Sequence, residues 1–107
     1  MQNFELNSLL DQVSSESQRY YEFLRQPSMS MGIYRLDAGE TDTQNPHEED
    51  EVYYVLSGRG KLNVEKEMLS AVPGSILFVE AHVNHKFVEI EEDLTLLVFF
   101  APAETKT

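Results

Sequence analysis

One hundred and seven residues, 41% of them apolar, suffice for one compact domain with its own core, and the chain is too apolar for disorder. Nineteen acidic against 8 basic residues leave a formal charge of −11, a field that repels phosphate backbones and anionic lipid and so argues against nucleic acid and membrane surfaces as partners. The chain has no cysteine, which rules out disulfides, thiolate metal sites and cysteine nucleophiles. Residues 1–5 carry no basic segment followed by an apolar one, and the apolar run at 94–101 is far too short to span a bilayer as a helix. The expectation is a soluble, cytoplasmic, single-domain protein.

In chain order, Leu6, Leu9, Leu10 and Val13 mark one apolar face of a helix, with Asn3 as its cap and the polar run from Ser14 to Gln18 as its end. Everything beyond reads as strand and turn. Residues 20–25 form a short aromatic strand that Pro27 interrupts. Over residues 29–36, Met29, Met31 and Ile33 alternate with Ser30, Gly32 and Tyr34, the period of a half-buried strand. A polar loop over 37–46 leads to a β-branched and aromatic strand at 51–56. Ser57, Gly58, Arg59 and Gly60 read as a turn back into a strand at 61–64, and Glu65, Lys66 and Glu67 as a hairpin tip. After a turn at Val72, Pro73 and Gly74, strands are expected at 76–79, 86–90 and 94–100. Many short strands without alternating helices indicate an all-β sandwich or barrel. No glycine loop sits between a strand and a helix to cradle phosphate, and no serine has the strained setting of a nucleophile.

The chain has 3 histidines. His47 opens an acidic stretch, Glu48, Glu49, Asp50 and Glu51, that runs into a strand, while His82 and His85 stand at the entry to a later one. Imidazole and carboxylate groups carried by separate antiparallel strands can converge inside a barrel, and mixed nitrogen and oxygen donors suit borderline divalent metals. The same residues are compatible with a solvated acidic loop and a backbone-satisfied core histidine. On an extended strand Asn45, His47, Glu49, Glu51, Tyr53 and Val55 share one face, which leaves Glu48 and Asp50 to solvent; His85 and Phe87 share a face in the later strand.

The order of these residues resembles the cupin superfamily. Its first motif is matched in spacing by Gly39, Asn45, His47, Glu51 and Gly58, with Asn45 standing where the family has its first histidine. Its second is matched by Gly74 and His85, while Glu80, His82 and Glu89 depart from the family's proline, glycine and asparagine. The run from Asp50 to Gly60 also looks like small single-domain bacterial cupins, and the likeness covers residues 29–102. The resemblance implies an all-β double-stranded β-helix, or jelly roll, with a short N-terminal helix. It divides the chain into a helix and strand packed outside the barrel (1–28), the barrel (29–102) and a C-terminal tail (103–107). It implies that His47, Glu51 and His85 ligate a divalent metal ion (iron, manganese, nickel, cobalt or zinc), with Asn45 at the remaining position as a weak amide ligand or an orienting group. Gln44 could serve the same purpose.

Tyr34, Tyr53 and Phe87 are candidates to line a small-molecule pocket, or simply to pack the barrel. His82 reads as an exposed turn residue and Glu89 as a solvent-side residue of a strand whose parity has shifted. Residues 94–100 are apolar on both faces, so one face needs a cover: a second copy in a homodimer, or the N-terminal helix. The activity implied is metal-dependent chemistry on a small organic molecule, dioxygenase- or isomerase-like. A non-catalytic binding or sensing protein is the alternative, and a metal-free polar cluster a third reading.

Overall fold

The computed structural model describes residues 1–14 and 19–105. Among the described residues, one helix, α1 (Leu6–Ser14), precedes six strands: β1 (Tyr20–Gln26), β2 (Met29–Leu36), β3 (Asp50–Val64), β4 (Glu67–Ala71), β5 (Ile76–Val79) and β6 (His85–Ala101). The expected end of the helix beyond Ser14 falls on residues 15–18, outside the described residues. The backbone carbonyl of Glu5 accepts the Leu9 N–H at 3.1 Å, so the first helical turn is closed from Glu5 and not from Asn3.

All strand pairs are antiparallel, in the order β1-β2-β6-β3-β4, with β5 also on β3. The turn expected at residues 57–60 does not form. β3 runs straight through it, paired with β6 along its length, with register shifts between Val55 and Ser57, Ser57 and Arg59, and Arg59 and Lys61. Glycine chemistry that suits a turn also suits a bulge, and Gly58 with φ of 94° takes the left-handed conformation here. The two strands expected at 86–90 and 94–100 are likewise one strand, β6, kinked at Glu89 (φ 49°). Bent in this way, the two long strands carry the sheet round on itself. One half of β3 lies between β6 and β5, and the other between β6 and β4. The result is the jelly-roll barrel with a short N-terminal helix.

Inward side chains of both halves, among them Leu36, Val55, Leu62, Phe87, Leu94, Leu96 and Val98, form one core. On β2 it is the small and polar set, Ser30, Gly32 and Tyr34, that shares the inner face with Leu36. Gly32 is placed there because a β-carbon would collide with the Tyr20 ring. The apolar set faces outward, and Ile33 is buried all the same, beneath Leu9 and Val13 of α1. Tyr21 and Phe23 of β1, with Leu97, pack against that outer cluster, and a register shift follows between Glu22 and Leu24. The helix thus covers one end of the outer sheet face. At the other end Ile76 and Phe78 of β5 remain 72% and 56% exposed.

Candidate metal centre

His47 comes from the loop that precedes β3, Glu51 from the second residue of β3 and His85 from the first residue of β6. The two segments are tied together where the His82 N–H donates to the His47 carbonyl at 2.7 Å. Among the described residues, His47, Glu51 and His85 form a group whose ligand atoms all lie within 4.8 Å of one another. Metal bonds of about 2.0–2.2 Å put opposite ligands about 4 Å apart, so small side-chain adjustments let all three reach one ion.

Glu51 is 2% exposed, and neither of its carboxylate oxygens has a hydrogen-bond donor in place. Its Oε1 lies 3.0 Å from Nε2 of His85. The other ring nitrogen of His85, Nδ1, lies 2.9 Å from the Val83 carbonyl oxygen, which can only accept, so that nitrogen carries the proton. In the neutral ring Nε2 then presents a lone pair to a carboxylate lone pair. Either a proton on Nε2 or a metal ion between the two atoms reconciles them. Burial pushes the His85 imidazole down, but the Glu51 carboxylate and the Val83 carbonyl outweigh it and hold the group above 6.5.

The centre opens into a cavity of about 160 Å³, walled by Tyr20, Tyr34, Gln44, Tyr53, Val98, Phe100 and Glu104 together with His47 and Glu51. No lysine or arginine lines it. Burial is the main reason that the Tyr20, Tyr34 and Tyr53 phenols are pushed well above their usual 10, with neighbouring carboxylates adding to it. All three phenols are therefore hydrogen-bond donors at neutral pH. The Tyr20 hydroxyl is buried without a partner, the Tyr34 hydroxyl donates to Asp42 Oδ1 (2.9 Å), and the Tyr53 hydroxyl sits 3.0 Å from Gln44 Oε1 and 3.1 Å from His85 Nε2. Phe87 lies in the core behind Tyr53, edge to face at 4.9 Å, and not in the cavity wall.

Asn45 is exposed and does not line this cavity, whereas Gln44 does. Strand parity does not carry through residues 37–49 because that segment is not a strand. Instead the Gln44 N–H donates back to Asp42 Oδ1 at 3.2 Å, an Asx turn that sets the phase of the loop. Glu49 does turn inward, but its Oε2 accepts from Thr105 N (3.1 Å) and Thr105 Oγ1 (2.6 Å). Glu48 is exposed, as is Asp50, which accepts the Ala81 N–H at 2.9 Å. His82 is an exposed turn residue with φ of 68°, and Glu89 is exposed and pairs with Lys61 Nζ at 3.3 Å.

Beyond Tyr20, Val98 and Phe100 of the cavity wall, two acidic contributors lie outside the sequence expectation. Asp42 is 1% exposed and receives hydrogen bonds from Tyr34, Gln44 and the Phe87 N–H. An Asp two residues before a glutamine in a polar loop was a signal available for it. Glu104 reaches the cavity from the C-terminal segment, its Oε2 3.5 Å from His47 Nδ1; burial raises its carboxyl, and His47 opposes that rise. No sequence pattern marked it.

Residues 32–100 match the sequence profile of a family described as the cupin domain. An uncharacterised protein of Streptomyces coelicolor, SCO3923, is 46% identical over 105 residues, 98% of this chain and all of that protein. The solved structure of TT1209 from Thermus thermophilus has a TM-score of 0.75 at 24% identity, covering 96% of this chain and 99% of that one. That of KdgF from a Halomonas species has a TM-score of 0.70 at 25% identity, covering 78% and 76%. The rolled antiparallel sheet and the match over most of its strands agree, and the chain belongs to the cupin family.

Proposed function

We propose that this cupin binds a divalent metal ion through His47, Glu51 and His85 and uses it on a small organic molecule held in the adjoining cavity. The observation that carries this reading is the Glu51 carboxylate. A buried carboxylate costs several kcal/mol, roughly, unless a cation answers it; the protonated His85 ring or a metal ion can do so, and two histidine rings stand where they can share a metal ion with it. When bound, such an ion supplies Lewis acidity, or oxygen activation if it is iron, which is the dioxygenase- or isomerase-like chemistry proposed here. Zinc, iron, manganese, nickel and cobalt all accept this donor set.

The remaining residues define what the cavity takes. Phe100 and Val98 supply an apolar wall, Tyr20 supplies a free hydroxyl donor, and Glu51 and Glu104 supply negative charge. A multiply charged anion would find no cationic side chain there, so the reading favours a neutral or singly charged molecule that accepts a hydrogen bond from a phenol. The Tyr20 hydroxyl, unpaired in the protein, is the donor such a molecule would satisfy. Elemental analysis of purified protein tests the metal. Stoichiometric metal in the parent, lost in folded His47→Ala, is expected; full retention of metal in that variant overturns the site. Turnover in the loaded protein, against binding alone, separates the enzyme from a sensing or storage protein.

We further propose that the protein works in the cytoplasm as a homodimer. Two cross-strand rows, Ile76–Tyr54–Leu97–Ile33 and Phe78–Val52–Phe99–Met31, cross the outer sheet face, and only their Ile33 and Leu97 end lies under α1. A second copy packed on the Ile76 and Phe78 end would cover the rest. Light scattering at micromolar concentration is expected to give twice the chain mass, and Phe78→Glu to give the monomer.

A further inference from the structure

We infer that the side-chain amide oxygen of Gln44 is a fourth inner donor at this centre, held in place by the buried Asp42 carboxylate. The inference rests on the metal-binding reading and goes beyond its ligand set. The two ends of an amide are distinguished by their neighbours. Gln44 Nε2 donates to Asp42 Oδ2 at 2.7 Å, and a carboxylate can only accept, so the amide nitrogen must face Asp42 and Oε1 must face the cavity. Asp42 is held in this position by its other hydrogen bonds, from the Phe87 N–H at 2.9 Å, the Tyr34 hydroxyl at 2.9 Å and the Gln44 N–H at 3.2 Å.

Gln44 Oε1 lies 3.3 Å from His47 Nε2. The opposite ring nitrogen, Nδ1, lies 3.5 Å from Glu104 Oε2. Without a metal ion the His47 Nε2–H can donate to the amide oxygen; with the ring proton on Nδ1, facing the carboxylate, Nε2 instead presents a lone pair beside Oε1, and the two become neighbouring donors. His85 Nε2 and Glu51 Oε1 stand in the same relation at 3.0 Å. His47, Glu51, His85 and Gln44 would together hold a divalent cation through these four atoms. The Tyr53 hydroxyl, 3.0 Å from Gln44 Oε1, then gives its single proton to the second lone pair of that oxygen. A neutral amide oxygen leaves Glu51 as the only formal charge among the four donors, so the bound ion keeps net positive charge. Asn45 takes no part, being exposed.

The test is a Co(II) titration of the chelator-stripped full chain, followed by calorimetry and by the visible absorption of the bound ion. Gln44→Ala is expected to weaken Co(II) by about 10- to 100-fold and to alter the spectrum, whereas Asn45→Ala leaves both as in the parent. Gln44→Glu keeps an oxygen donor and guards against a folding artefact, and it is expected to bind at least as tightly as the parent. Asp42→Asn, which permits the amide to turn, is expected to weaken binding less than Gln44→Ala. Parent-like affinity and spectrum in Gln44→Ala, beside lost binding in His47→Ala, overturns the role of Gln44 and leaves the metal reading intact. No Co(II) binding by the parent chain overturns both.

Discussion

The Nε2 atom of His85 lies 3.0 Å from Oε1 of Glu51, and both side chains are sealed from solvent. In a medium with little water to screen them, the two groups have to share something positive, and the choice is a proton or a metal ion. The centre is therefore a competition between those two occupants. Substituting Glu51→Gln removes the charge and places an amide N–H donor opposite the Nε2 lone pair. Divalent metal affinity is expected to fall about 100-fold or more, while the protein stays folded. Calorimetry of the stripped variant checks it, and parent-like affinity would show that the carboxylate is not part of the centre.

The proton side of that competition sets a pH dependence in the stripped protein. The imidazole of His85 is held above 6.5, so between that value and its folded midpoint the native state binds more protons than the unfolded chain. Stability from this group is fully present below pH 6.5 and is lost as the pH rises through the raised midpoint. Thermal midpoints of chelator-treated protein are expected to fall across that interval, and Glu51→Gln is expected to flatten the slope. A midpoint that rises with pH there would contradict the assignment of the shared proton to this pair.

Those predictions depend on residues that differ in how plainly the sequence displayed them. The helix and β2 were legible because a period of 3.6 or 2 survives burial on either side. The reversal expected at Ser57–Gly60 does not form, and the reason is definite: a left-handed glycine serves a turn and a bulge equally well, and only the pairing of β3 with β6 decides between them. The inner face of β2 is also the opposite of its apolar pattern, because α1 buries Ile33 from outside. At the centre, the spacing of His47, Glu51 and His85 was readable. The phase of the loop was not, since an Asx turn at Asp42 puts Gln44 where strand parity puts Asn45. Glu104 depends on the path of the C-terminal segment, which no local pattern encodes.

The bulge itself makes a prediction about two glycines with nearly the same dihedral. Gly58 (φ 94°) would place a β-carbon on the Asp93 carbonyl oxygen, while Gly74 (φ 91°) faces open space. Gly74→Ala carries only the left-handed backbone penalty, about 1–2 kcal/mol. Gly58→Ala adds a backbone collision at the bend of both long strands, and is expected to cost about 3 kcal/mol or more. Urea unfolding of the two variants measures the difference. Equal losses would mean that β6 can move away from β3 at Asp93.

The C-terminal segment carries Glu104 to the cavity, and its anchor is a buried acid. Glu49 is 3% exposed and accepts both the N–H and the hydroxyl of Thr105, while the Glu104 N–H donates to Ser30 Oγ at 2.9 Å and Arg25 donates to the Glu104 carbonyl at 2.7 Å. Charge-assisted hydrogen bonds of this kind contribute about 1.5–3 kcal/mol each, more than the neutral bond from Glu104 to Ser30. Glu49→Ala is therefore expected to release Thr105 first, raising amide exchange at Thr105 and Glu104 about tenfold or more, with little effect on strands β3 and β6. Freed from its anchor, the Glu104 carboxylate no longer stays beside His47 Nδ1, so metal affinity is expected to fall by about tenfold, as when any orienting partner of a ligand is lost. Unchanged exchange at Thr105 would mean that Arg25 and Ser30 alone hold the segment against the barrel mouth.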